Sequence, residues 1–102
     1  VLEASRVLAY KEIKKQGLTD EQRISDAFRR ITGRKPSAEE VKLLYEFYTT
    51  ELSKYRTNKE SARKILNVGH YPQEKKLDAA TCAAMMLTIH TIYNLDETIS
   101  KS

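Results

Sequence analysis

Residues 19–40, TDEQRISDAFRRITGRKPSAEE, decide the fold. Thr19, with Gln22 three residues on, is a capping box that opens a helix. Ile24, Ala27, Phe28 and Ile31 then recur at spacings of three and four, a single apolar stripe of helical period. Gly33 supplies the left-handed residue that stops the helix, and Pro36 keeps Arg34 and Lys35 from continuing it. Ser37 is an N-cap, and Glu40 closes a second capping box. A start, a stripe, a stop and a new start within one short stretch predict helices joined by tight connections.

The same logic extends outward. Downstream, Val41, Leu44, Tyr45, Tyr48, Leu52 and Tyr55 share one face of a third helix. Leu43 and Phe47 widen that face, so the helix is expected to touch two neighbours. Thr57 with Glu60 repeats the capping pattern for a short fourth helix carrying Ala62, Ile65 and Leu66, with Gly69 as its stop and Pro72 preventing a restart. Residues 69–76, GHYPQEKK, read as the one extended loop. Asp78 caps a last helix that is predicted to run to about Tyr93 through Cys82, Met85, Met86, Ile89 and Ile92. Asn94 then acts as its left-handed C-cap. No charged residue lies between Asp78 and Asp96, so this helix is expected to be the central, most buried element. Upstream, a first helix is predicted from about Leu2 to Gln16, with Val7, Leu8 and Ile13 on its apolar side and Gly17 as terminator. The expectation is an all-α fold: a compact bundle of about five helices, one domain over 1–102, with no internal repeat, interior linker or heptad seam.

Composition narrows the function classes. The chain has 102 residues, enough for one domain, with 40% hydrophobic and 31% charged residues, the balance of a globular protein. Its longest apolar run, Cys82 to Leu87, is far short of the roughly 18 residues of a membrane span. One cysteine excludes an internal disulfide framework, a four-cysteine zinc site and a c-type haem attachment. The 18 basic and 14 acidic residues leave a net charge of +4, too mild to imply nucleic acid. The first residue is Val1, from which a processed product or a fragment of a longer chain is expected.

Four groups of side chains are candidate sites. Cys82, Met86 and His90 follow at i, i+4 spacing and present sulfur, sulfur and nitrogen, soft ligands that suit Cu(I) or a haem iron. The competing reading is ordinary core packing beside a hydrogen-bonded His90. Cys82 as a nucleophile needs a base, and His90 stands two turns away, about 12 Å along the axis. His70 and Tyr71 are the chemically interesting side chains of the loop: a contact site, or a local anchor formed by Tyr71. Arg29, Arg30, Arg34 and Lys35, with Lys54, Arg56, Lys59, Arg63 and Lys64, are interleaved with Glu39, Glu40, Glu46, Glu51 and Glu60, a solvated charged face rather than a nucleic-acid surface. Arg34 beside the helix start at Ser37 is an anion candidate, opposed by Glu39 and Glu40. Asp96 and Glu97 are weak acid–base candidates, and Arg29 or Arg34 is expected to pair with Asp96 or Glu97 across the bundle.

Two blocks carry a family resemblance. Residues 23–37, RISDAFRRITGRKPS, and 62–69, ARKILNVG, with the terminal YNLDET of 93–98, resemble the C-terminal part of a domain of unknown function. That domain is found in large planctomycete-type proteins, which often carry a cytochrome c-like domain near their N-terminus. The resemblance covers about three-quarters of the chain, from near Arg23 to Ile99. It implies the tail of a long, exported, multidomain parent and an extracytoplasmic compartment. The family has no established activity, and no catalytic residue carries over. His70 and Tyr71 depart from the smaller, acidic or serine-like residues expected after Gly69.

The expected function is a non-catalytic helical interaction module, without a cofactor, that packs on upstream domains of the same parent chain or on a protein partner. The alternative is a helical part of an enzyme whose redox or hydrolytic site lies mainly upstream and to which this chain lends His90 or His70.

Overall fold

A computed structural model of the chain describes residues 2–67 and 76–101, with side chains described through Asp96. Five helices follow in order: α1 (Leu2–Lys14), α2 (Asp20–Thr32), α3 (Ala38–Thr57), α4 (Lys59–Leu66) and α5 (Ala79–Lys101). No strand occurs among the described residues, and the chain is an all-α bundle of 37 × 26 × 23 Å.

The caps form as their chemistry requires. Thr19 accepts from Gln22 N at 3.1 Å while Gln22 Oε1 accepts from Thr19 N at 2.8 Å. Ser37 and Glu40 repeat the arrangement at the start of α3. Gly33 takes the left-handed conformation, φ 80°, and its N–H donates back to Arg29 O. Asp78 Oδ2 accepts from the N–H and the hydroxyl of Thr81, which fixes the start of α5.

Two connections differ from the sequence reading. α3 runs on through Thr57, whose hydroxyl donates to Lys54 O inside the helix, and Asn58 caps α4 by accepting from Ser61 N at 3.2 Å. Asparagine outranks threonine as an N-cap, so the start moves one residue on. α4 ends at Leu66, and the stop assigned to Gly69 lies outside the described residues. Asn94 does not end α5: no non-glycine residue has a positive φ among the described residues, and the helix continues to Lys101. With neither glycine nor proline after it, an asparagine alone does not break a helix that is already packed.

α5 packs against each of the other four helices. Five consecutive residues, Cys82 to Met86, are buried, which one apolar stripe cannot give; over this stretch the helix is enclosed on all sides. Ala80, Ala83 and Ala84 let neighbouring backbones approach, while Met85, Met86, Ile89 and Ile92 fill the space between. The hydroxyl of Thr88 is satisfied within the helix by Ala84 O at 2.8 Å. From α2 come Ile24, Ala27 and Phe28, from α3 Leu44, Tyr48 and Leu52, and from α4 Ala62 and Leu66. The Tyr48 hydroxyl lies against Asp20, and burial together with that carboxylate pushes it above the usual phenol range.

α1 departs most from expectation. Its buried residues are Ser5, Arg6, Ala9, Tyr10 and Glu12, whereas Val7, Leu8 and Ile13 are half-buried. The small residues Ser5 and Ala9 admit α5, and the spacing that turns them inward takes Glu12 with them. No described helix is long and apolar enough to cross a membrane.

Candidate functional site

Among the described residues, two large apolar side chains are exposed: Leu43 on α3, 61%, and Leu95 on α5, 46%. They stand on different helices and line one groove of about 180 Å³, whose floor is Phe28, Leu44 and Phe47. The lining is almost wholly apolar, with Glu40 and Thr91 at its edges. α3 meets α2, α4 and α5, so it touches more than one neighbour as expected, but Leu43 itself is left mostly facing water. On α3 the positions one turn from Leu43 are Glu39, Glu40, Glu46 and Phe47, so acids frame the apolar residue on both sides. Glu39 and Glu46 are exposed; Lys42 is the adjacent cation.

Arg34 contacts two residues that line this groove, Glu40 and Phe28. Its guanidinium grips Glu40 through two parallel hydrogen bonds, 2.9 Å to Oε1 and 2.8 Å to Oε2. It also lies over the Phe28 ring, 4.8 Å from the centroid. Arg34 and the Ser37 backbone N–H together hold Glu40 down at about 2. The pairing expected between Arg34 and Asp96 is thus displaced. A carboxylate six residues away in the chain is reached bidentately, and Asp96 contributes only a more distant pull. The Glu97 side chain lies outside the described residues. With Glu40 in its fork, Arg34 does not form the anion site considered from sequence.

The remaining sequence candidates separate. Cys82 and Met86 are fully buried in α5, and His90 is half-buried with its Nδ1 enclosed and without a hydrogen-bond partner among the described residues. No group of three His, Cys, Asp or Glu side chains is placed to hold a metal among the described residues. The His70–Tyr71 candidate lies outside the described residues.

Sequence reasoning missed a charged cluster between α1 and α2. Glu12 is completely buried; its Oε2 lies 3.0 Å from Lys15 Nζ and 3.5 Å from Arg30 Nε. Asp26 Oδ2 meets the same two cations at 2.6 and 2.9 Å. Burial, then the neighbouring Asp26 carboxyl, pushes Glu12 up to about 7, against the pull of Lys15. Asp26 is held well below the usual range, chiefly by its hydrogen bond with Glu12. Arg23 completes the junction from below, donating to the carbonyls of Glu12 at 2.9 Å and Lys15 at 2.8 Å, the open end of α1. The signal was present in the spacing: Glu12 continues the Ser5, Ala9 series at intervals of four and three, a stripe of small residues rather than of apolar ones.

A second, wider groove of about 440 Å³ runs between α1, α2 and α5, lined by Val7, Leu8, Ile31 and Tyr93 and rimmed by Glu3, Lys11 and Arg30. Its rim is of mixed sign. Compared with known protein families, curated proteins and solved structures, the chain matches none.

Proposed function

We propose that the chain is a non-catalytic helical interaction module whose α3–α5 groove receives a basic, amphipathic helical segment of a protein partner. The observation that carries this reading is that Leu43 and Leu95, exposed on two different helices, meet at one apolar groove. Exposed leucines scattered singly need no explanation; two that converge over an apolar floor supply the pocket that a partner's side chain fills. Helix-in-groove recognition uses such a pocket for anchors at i, i+3 or i+4 and i+7. Glu39 and Glu46 on either side of Leu43 favour lysines or arginines between those anchors, and they disfavour nucleic acid at the same surface. The resemblance noted above supports an upstream domain of an exported, multidomain parent as the source of the segment.

The test is a fluorescence-polarisation titration with a synthetic amphipathic helix of leucine and lysine and with its twin carrying glutamate for lysine. Tighter binding of the basic helix, lost on Leu43→Gln and on Leu95→Gln, is the expected result. Equal affinity for both helices, or binding indifferent to both substitutions, overturns the reading.

A further inference from the structure

We propose that Glu12 and Asp26 form a proton-operated latch between α1 and α2: one proton shared by the two carboxyl groups fastens α1 onto the bundle, and its loss loosens that junction. This device is separate from the docking groove and does not depend on it.

The geometry supplies the parts. Glu12 has no exposed surface, and its Oε1 is enclosed without a hydrogen-bond partner among the described residues. With that oxygen unsatisfied, an ionised Glu12 is a buried charge held through Oε2 alone, a costly arrangement. A protonated Glu12 has instead a hydroxyl to donate, and the Asp26 carboxylate lies within hydrogen-bonding reach to accept it. Lys15 and Arg30 then neutralise Asp26 from the side that faces water; their side chains are 33% and 54% exposed. The two acids come from different helices, so the proton they share is a tie between elements.

The groups facing Glu12 can be named element by element. Just past the end of α1 stands Lys15, and on α1, toward its N-terminus, are Arg6 and Tyr10, whose guanidinium and ring lie 5.7 Å apart. α2 contributes Asp26 and Arg30, and Arg23 through the Glu12 carbonyl. α5, the other helix against α1, has no charged residue between Asp78 and Asp96; its titratable side chains there are Cys82, His90 and Tyr93. The cations favour ionised Glu12, while burial and Asp26 oppose it more strongly.

The direction in pH follows. Glu12 titrates higher in the folded chain than its ordinary 4.5, so its contribution is complete below 4.5 and is lost as pH rises through about 7. Asp26 has the opposite sign: its contribution is present above the ordinary 3.8 and lost on the acid side. The junction is therefore tightest in mildly acidic solution.

The test is urea unfolding of the whole chain between pH 5 and pH 8, with amide exchange followed in α1 and α5, for the unaltered protein and for Glu12→Gln, which keeps the size and a donor but cannot titrate. From pH 5 to pH 8 the folded-to-unfolded ratio of the unaltered chain is expected to fall roughly tenfold or more. Glu12→Gln is expected to abolish that fall, which separates Glu12 from His90. Exchange in α1, corrected for the intrinsic effect of pH, should quicken relative to α5. The same pH dependence in both proteins, or constant relative protection of α1, overturns the latch. If Glu12→Gln fails to fold, carbon-detected titration of the Glu12 carboxyl in the unaltered chain decides. A midpoint near 7 supports the latch, and one near the ordinary 4.5 overturns it.

Discussion

Glu12 on α1 and Asp26 on α2 are held by one ammonium group, with Lys15 Nζ 3.0 Å from Glu12 Oε2 and 2.6 Å from Asp26 Oδ2. Two acids that converge on a shared cation repel each other unless a proton lies between them, and here one member of the pair has no contact with water. The first helix is thus joined to the second by charge and hydrogen bonding, while it is joined to α5 by the close approach of small residues.

Lys15→Met removes the shared cation and leaves both acids to Arg30. The expected loss of stability is about 1–2 kcal/mol at pH 7, moderated because a third of Lys15 is exposed to water. The Glu12 midpoint should also rise, since Lys15 pulls it down. Urea unfolding combined with carboxyl titration checks both; an unmoved midpoint would deny Lys15 its role.

Arg23→Ala uncovers the carbonyls of Glu12 and Lys15 at the end of α1. Charged donors to backbone oxygen in a half-buried setting predict a loss of about 1–2 kcal/mol by urea unfolding. A change within about 0.5 kcal/mol, the ordinary surface value, would show that water replaces the guanidinium without loss.

Ser37→Ala removes the N-cap of α3 and should cost about 1 kcal/mol. Glu40, held at about 2 by Arg34 and the Ser37 N–H, stabilises the chain above its ordinary 4.5, and that contribution is lost as pH falls through about 2. Glu40→Gln should therefore flatten the acid limb of a stability-against-pH curve and leave the region above pH 6 unchanged in shape. Arg34→Ala should act in the same direction, and a double-mutant cycle with Glu40→Gln measures their coupling.

Cys82 is 1% exposed within the all-round core of α5. Its modification by a thiol reagent should follow the rate of unfolding and accelerate with urea, with almost no reaction in the native chain. Rapid stoichiometric labelling in buffer would contradict the burial of α5.

Most of the architecture was legible before the structure, and the reason lies in the caps. Thr19 with Gln22, Gly33, and Ser37 with Glu40 are local devices whose outcome depends on a few neighbouring residues, so reading them one at a time succeeds. The uncharged span from Asp78 to Asp96 marked the central helix for the same kind of reason. What failed was anything decided by the partner element. Glu12 drew no reading from sequence; its burial follows from the Ser5, Ala9 stripe and from the cations Lys15 and Arg30, the second of which α2 brings to it. Arg34 was matched to distant acids, although the bidentate partner was Glu40 in the adjacent turn. Leu43 was read as widening the apolar face of a helix with two neighbours; only the packed bundle shows that it is left mostly exposed. Of the candidate site, then, Leu43 and Phe47 were named from sequence, but the groove they form with Leu95 was not foreseeable, since Asn94 was read as the end of the helix.

Leu43→Gln and Leu95→Gln should leave stability within about 0.5 kcal/mol of the unaltered chain, since both side chains are largely exposed. Neutral folding with lost binding would separate a docking role from a structural one; a large loss in unfolding free energy would assign both leucines to the core instead.

The most direct measurement is a two-dimensional NMR titration of the whole chain with the leucine–lysine helix, mapping which backbone amides shift. The account predicts that the largest changes cluster on α3 around Leu43 and Phe47 and on α5 around Thr91 and Leu95. Changes centred instead on Val7, Leu8 and Ile31, across the α1–α2 side, or spread evenly over the surface, would contradict it.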